Sequence, residues 1–144
     1  MTVVVDVANV MGSRADGWWR DRAGAARRLL QQVAALADRG VPADRMPAGL
    51  PAPGQWVLVL EGRARDAAPA AVRQAGDTAD DGAFGGRVRV VAAAGSGDDA
   101  IAAEAAALDG NAPCLVVTAD RELRRRCTAA GAAVTGPGWL LGLL

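Results

Sequence analysis

Carboxylates stand just past four apolar or β-branched runs in this sequence. Asp6 follows residues 2–5, and Glu61 follows 56–60. Asp98 and Asp99 come shortly after 88–92, and Asp120 after 114–118. Carboxylate oxygens suit a hard divalent cation, Mg²⁺ or Mn²⁺. Such a cation polarises a phosphoryl oxygen and lowers the pKa of a bound water. If the runs are neighbouring strands, about 4.8 Å apart, their acids meet in one small volume. Like charges held that close raise each other's pKa, and a cation relieves them. Each acid also has an ordinary explanation. Asp is common in loops, and Asp98 and Asp99 in a first helical turn are favoured by the helix dipole alone.

What is missing narrows the chemistry further. The chain of 144 residues has no His, no Lys and no Tyr, and all 16 basic residues are Arg. Without His there is no Ser-His-Asp or Cys-His catalysis and no imidazole metal site. Without Lys there is no phosphate-binding P-loop and no Schiff base. Two cysteines, Cys114 and Cys127, cannot build a four-ligand zinc site alone. Carboxylate and guanidinium remain, with 13 Asp and 3 Glu among the acids. The 34 alanines and the absence of Lys also fit a GC-rich coding bias. Net charge is zero, so bulk electrostatics gives no argument for nucleic acid, although local patches are still open. No apolar stretch of membrane-spanning length occurs, and the amino terminus lacks a signal-peptide pattern. A cytoplasmic protein with reduced cysteines and no membrane partner is expected.

The acids need elements to position them. Residues 2–5, 56–60, 88–92 and 114–118 read as buried strands, and 132–135 as a weak fifth. Residues 12–17 read as a polar loop. Apolar spacing predicts a helix over 18–39, stopped at Gly40. Residues 41–55 hold four of the seven prolines and read as a long loop. A short helix is expected over 67–74 and an acidic loop over 77–86. Ser96 and Asp99 approximate a capping box for a helix over 98–108. Another helix is expected over 121–130, and 136–144 reads as a hydrophobic tail. Strands alternating with helices predict an α/β fold with a parallel sheet, as one domain over 1–144. In such sheets ligands bind outside the carboxyl ends of the strands.

Three segments carry a family resemblance. VVVDVANV resembles the first strand of the NYN branch of the PIN-like nucleases, hydrophobic-Asp-x-x-Asn-hydrophobic. GSGDDAIAAEAA is similar to that branch's acidic helix start. VVTADREL is similar to its fourth strand, ending in hydrophobic-x-[Ser/Thr]-x-Asp-Arg. Their order and spacing match across nearly the whole chain. The resemblance implies a single three-layer PIN-like domain, with a central, mainly parallel sheet of about five strands flanked by helices. It implies a metal-dependent ribonuclease, with Asp6, Asp98 and Asp120 as acids facing Mg²⁺ or Mn²⁺. Asp99 would be a second carboxylate at the helix start. Asn9 would orient the first-strand acid or a bound water. Glu61 takes the place of an acid found after the second strand in some members. The acidic loop 77–86 and the lack of Lys depart from what an RNA-contacting surface would favour.

Arginines and tryptophans bear on the substrate. Arg121, Arg124 and Arg125 recur at helical spacing after Asp120, and Arg14, Arg20 and Arg22 follow the first strand. Arg grips phosphate bidentately, so Arg121, with Arg14 and Arg124, is a candidate for holding an RNA backbone. The alternative is a solvated helix face. Trp18 and Trp19 cannot enter one core face, because neighbouring helical residues point roughly 100° apart. Trp19 fits the apolar stripe. Trp18 is then free to stack on a base, cap the core or fill a homodimer contact. The acids do not separate a phosphodiester from a nucleotide pyrophosphate, and a non-catalytic PIN-like module binding RNA or protein is the second reading.

Overall fold

The computed structural model describes residues 1–68, 86–108, 110 and 112–144. Five strands form one sheet: β1 (Thr2–Asp6), β2 (Gln55–Leu60), β3 (Val88–Ala92), β4 (Cys114–Val117) and β5 (Ala133–Thr135). The order is β3-β2-β1-β4-β5 and every pairing is parallel. Alternate residues of each strand face opposite layers. Val3, Val5, Trp56, Leu58, Leu115 and Val117 point into one core. Val4, Val57, Val59, Cys114 and Val116 point into the other. That two-sided burial is why these strands read as continuous apolar runs.

The helices fill the two outer layers. On one side lie α1 (Val7–Gly12), α2 (Arg22–Arg39) and α5 (Pro137–Leu141). On the other lie α3 (Gly97–Ala107) and α4 (Arg121–Ala129). An Arg89–Glu104 ion pair ties β3 to α3. The expected tail is in fact α5. Pro137 opens it, Trp139 stacks on Trp56 at 6.3 Å, and the Trp139 indole donates to Arg45 O at 2.8 Å.

Several boundaries differ from the sequence expectation. Residues 7–12 are helical, with Val7, Val10 and Met11 buried. Six residues are too few for a helical period to show beside the apolar run of β1. The α2 helix begins at Arg22, not at residue 18, because the Asp21 carboxylate accepts from Gly24 N at 2.9 Å and caps it. Trp18–Arg20 form a separate 3-10 turn. That break shifts the helical phase and reverses the two tryptophans. Trp18 packs against the core, and Trp19 is 56% exposed. Gly62–Ala67 form a second 3-10 segment. Most of the helix expected over 67–74, and all but the end of the loop expected over 77–86, lie outside the described residues. No helix among the described residues is long and apolar enough to cross a membrane.

Candidate active site

The site lies where the strand order reverses. The chain runs from β1 outward through β2 to β3, then returns to place β4 on the other side of β1. The crevice outside the carboxyl ends of β1 and β4 is therefore the switch point, the favoured ligand position in such a sheet. There, a cleft of about 420 Å³ is lined by Asp6, Asn9, Glu61, Asp98 and Asp120, with Ser13 at its wall. The four strand-end acids thus share one cavity.

Each acid is held by a local bond that also shapes the fold. Asp6 ends β1 and caps α1, accepting from Asn9 N at 3.1 Å through Oδ1. Its Oδ2 accepts from the Thr118 hydroxyl at 2.9 Å. Thr118 is fully buried, and its Oγ1 also accepts from Asp120 N at 3.2 Å. The Asn9 side chain accepts from Ala119 N at 2.8 Å and so clips the end of β1 to the loop after β4. Asp120 caps α4, accepting from Leu123 N at 2.8 Å. Glu61 accepts from Gly97 N at 2.7 Å and caps α3 from across the cleft. The Ser96 hydroxyl makes no capping bond, so the expected Ser96–Asp99 capping box is replaced by this long-range one.

The charges interact as their positions require. Burial pushes the Asp6 carboxyl above its ordinary value, and the Asp98 and Glu61 charges add to that rise. The bonds from Asn9 and Thr118 oppose it. Burial likewise raises Asp98, with Asp120 and Glu61 adding repulsion and Arg126 relieving part of it. Among the described residues, no arginine lines the cleft.

Other expected site residues lie elsewhere. Asp99 is turned out to solvent and pairs with Arg126 at 2.9 Å, so it is not a second carboxylate of this cavity. Residues 98 and 99 are neighbours on a helix and cannot both face the cleft. Arg14 bonds Gln32 at 3.0 Å. Arg124 donates to Thr118 O at 3.4 Å from behind the cleft, and Arg121 is exposed outside it. Thr118 is the site residue that the sequence left without a role. It stands inside the VVTADREL segment, but its hydrogen bond to Asp6 depends on the β1–β4 register.

The fold has a counterpart among solved structures. The chain resembles Rae1 (YacP) from Bacillus subtilis, crystallised as a W164L mutant, with a TM-score of 0.64 and 17% identity. The match covers 99% of this chain and 74% of that one. The two share an α/β fold, which in this chain is a five-stranded parallel sheet flanked by helices. No family model matches the sequence, and no curated protein matches it.

The donor set of the cleft is all oxygen, as a hard cation prefers. Among the described residues, no three His, Cys, Asp or Glu side chains stand close enough to hold a metal ion unaided. Mg²⁺ does not require that. It keeps several waters and binds through one or two carboxylates together with substrate phosphate. Four carboxylates around one cavity, with no cation among the lining residues, fit such an ion.

Proposed function

We propose that this protein is a metal-dependent nuclease of the NYN type that hydrolyses RNA phosphodiester bonds in the acid cleft. The observation that carries it is the sharing of one switch-point cavity by Asp6, Glu61, Asp98 and Asp120, where no arginine among the described residues lines the wall. A phosphate entering that cavity alone would meet only negative charge. One or two of Asp6, Asp98 and Asp120, together with waters and a substrate phosphate, would hold Mg²⁺ or Mn²⁺, which supplies Lewis-acid polarisation and a more acidic water when bound. The chain's own part is positioning. Thr118 and Asn9 fix Asp6, the α4 cap fixes Asp120, and Gly97 N fixes Glu61. The three NYN-like segments, and an α/β fold consistent with them, support RNA as substrate.

One observation favours a non-catalytic binding module instead: both Asp6 oxygens are already engaged by protein donors. Melting curves with and without Mn²⁺ separate the two. Cation binding to the folded state raises the melting temperature by mass action, with about 2.7 kcal/mol expected at a hundred times Kd. The expected result is a rise with Mn²⁺ that Asp98→Asn reduces. An unchanged melting temperature at millimolar Mn²⁺ would favour the binding module.

A further inference from the structure

Beside the acid cleft lies a second feature that carries arginine and tryptophan. A hollow of about 360 Å³ shares Ala8 and Glu61 with the cleft and is floored by Trp18. Its far wall, Arg22, also lines a third hollow of about 480 Å³, with Trp19, Arg20 and Arg63. The three hollows therefore adjoin one another in a row. Along the row, the Arg22 guanidinium stands 5.4 Å from the Trp18 ring centroid, and Arg20 stands 5.9 Å from that of Trp19. Trp19 meets Trp18 edge-on at 6.2 Å. Trp19 is also the one exposed large hydrophobic among the described residues. Nothing in the core explains that exposure, since Trp18 fills the core position.

The geometry points to a binding subsite for single-stranded RNA, in which Trp19 stacks on an unpaired base and Arg20, Arg22 and Arg63 receive flanking backbone phosphates. The proposal rests on the acid cleft being the place of cleavage. Charge argues for this occupant. Among the described residues, the cleft wall carries four acids and no arginine, so a polyanion would be gripped beside it. Arg14, Arg121 and Arg124 do not line the cleft, whereas Arg22 lines the hollow beside it. Three guanidiniums outnumber the two carboxylates of the third hollow, Asp21 and Asp66, and Asp21 is already committed to the α2 cap. Stacking on an exposed indole needs a base that is not paired, which selects a single strand over a duplex.

The test is binding of an end-labelled single-stranded oligoribonucleotide of about 12 nucleotides, followed by anisotropy at low salt in EDTA so that no cleavage intervenes. Trp19→Ala is expected to weaken binding about 5- to 100-fold, as loss of one base–aromatic stack does. Trp19→Phe should recover most of it. Arg22→Ala should lower the slope of log affinity against log salt by roughly 0.7, one phosphate contact's worth. Wild-type affinity that is absent, equal for a duplex of the same length, or unchanged in Trp19→Ala would overturn the subsite. Loss of self-association in Trp19→Ala with RNA affinity intact would assign Trp19 to a contact between copies, and overturns it too. Hydrolysis of bis(p-nitrophenyl) phosphate by the wild type with Mn²⁺ reports on the acid cleft separately. Its failure would remove the nuclease reading, while the binding result would still decide the subsite.

Discussion

At the scale of single residues, the site acids do two jobs at once. Asp6 and Asp120 each cap a helix while lining the cleft, so deleting either carboxylate mixes stability with chemistry. Isosteric changes separate them. Asparagine caps as well as aspartate, so Asp120→Asn should melt within about 0.5 kcal/mol of wild type, whereas Asp120→Ala should lose about 1 kcal/mol. Both should lose phosphodiester hydrolysis. Thermal melting beside a hydrolysis assay checks the pair, and an active Asp120→Asn would remove Asp120 from the chemistry. The acids also set a pH dependence. The folded-state pKa values of Asp6 and Asp98 lie above the ordinary 3.8. The folded state therefore keeps these protons longer than the unfolded chain. Stability of the metal-free protein should fall as pH rises from about 3.8 through the raised values, and stay lower above them. Asp98→Asn should flatten part of that fall, as melting temperatures between pH 3.5 and 7 would show. A slope identical to wild type would mean that Asp98 is not strained by its neighbours. These acids were legible in the sequence because a strand end fixes where a side chain emerges. Thr118 was not, because its partners come from another strand 112 residues away.

At the scale of elements, the cleft is held open by caps that cross it. Glu61 on one side binds the amino terminus of α3 on the other. Glycine at 97 leaves room for that approach, since an added Cβ would stand 2.7 Å from Glu61 Oε2 and the carboxylate would have to swing aside. Gly97→Ala should push Glu61 away and leave a buried N–H unpaired, lowering stability by about 1–3 kcal/mol. A denaturant melt showing full wild-type stability would mean that the clamp contributes nothing. The strands and the long helices were readable, because burial on both faces and amphipathic spacing leave a pattern over many residues. The helix starts were less so. Asp21 interrupts what reads as one helix from Trp18, and a cap in the middle of an apolar pattern leaves no break in periodicity. The Ser96 cap read from local spacing lost to a carboxylate 36 residues away in the chain.

At the scale of the whole molecule, the zero net charge hides a separation. Acids gather at the switch point, and arginines with two tryptophans gather along the hollows beside it. Composition averages over that division, which is why bulk charge was silent about nucleic acid. The two cysteines play no part in it. Both are buried, and burial pushes the Cys114 thiol up to about 11. The direct measurement is cleavage of a single-stranded RNA by purified protein, with Mn²⁺ and with EDTA, for wild type and Asp6→Asn matched by circular dichroism. Wild type should cut only with Mn²⁺, and folded Asp6→Asn should cut at least about 100-fold more slowly, the scale of losing one electrostatic stabiliser of a transition state. Cleavage that persists in EDTA, or that proceeds undiminished in Asp6→Asn, would contradict a metal-dependent nuclease at this cleft.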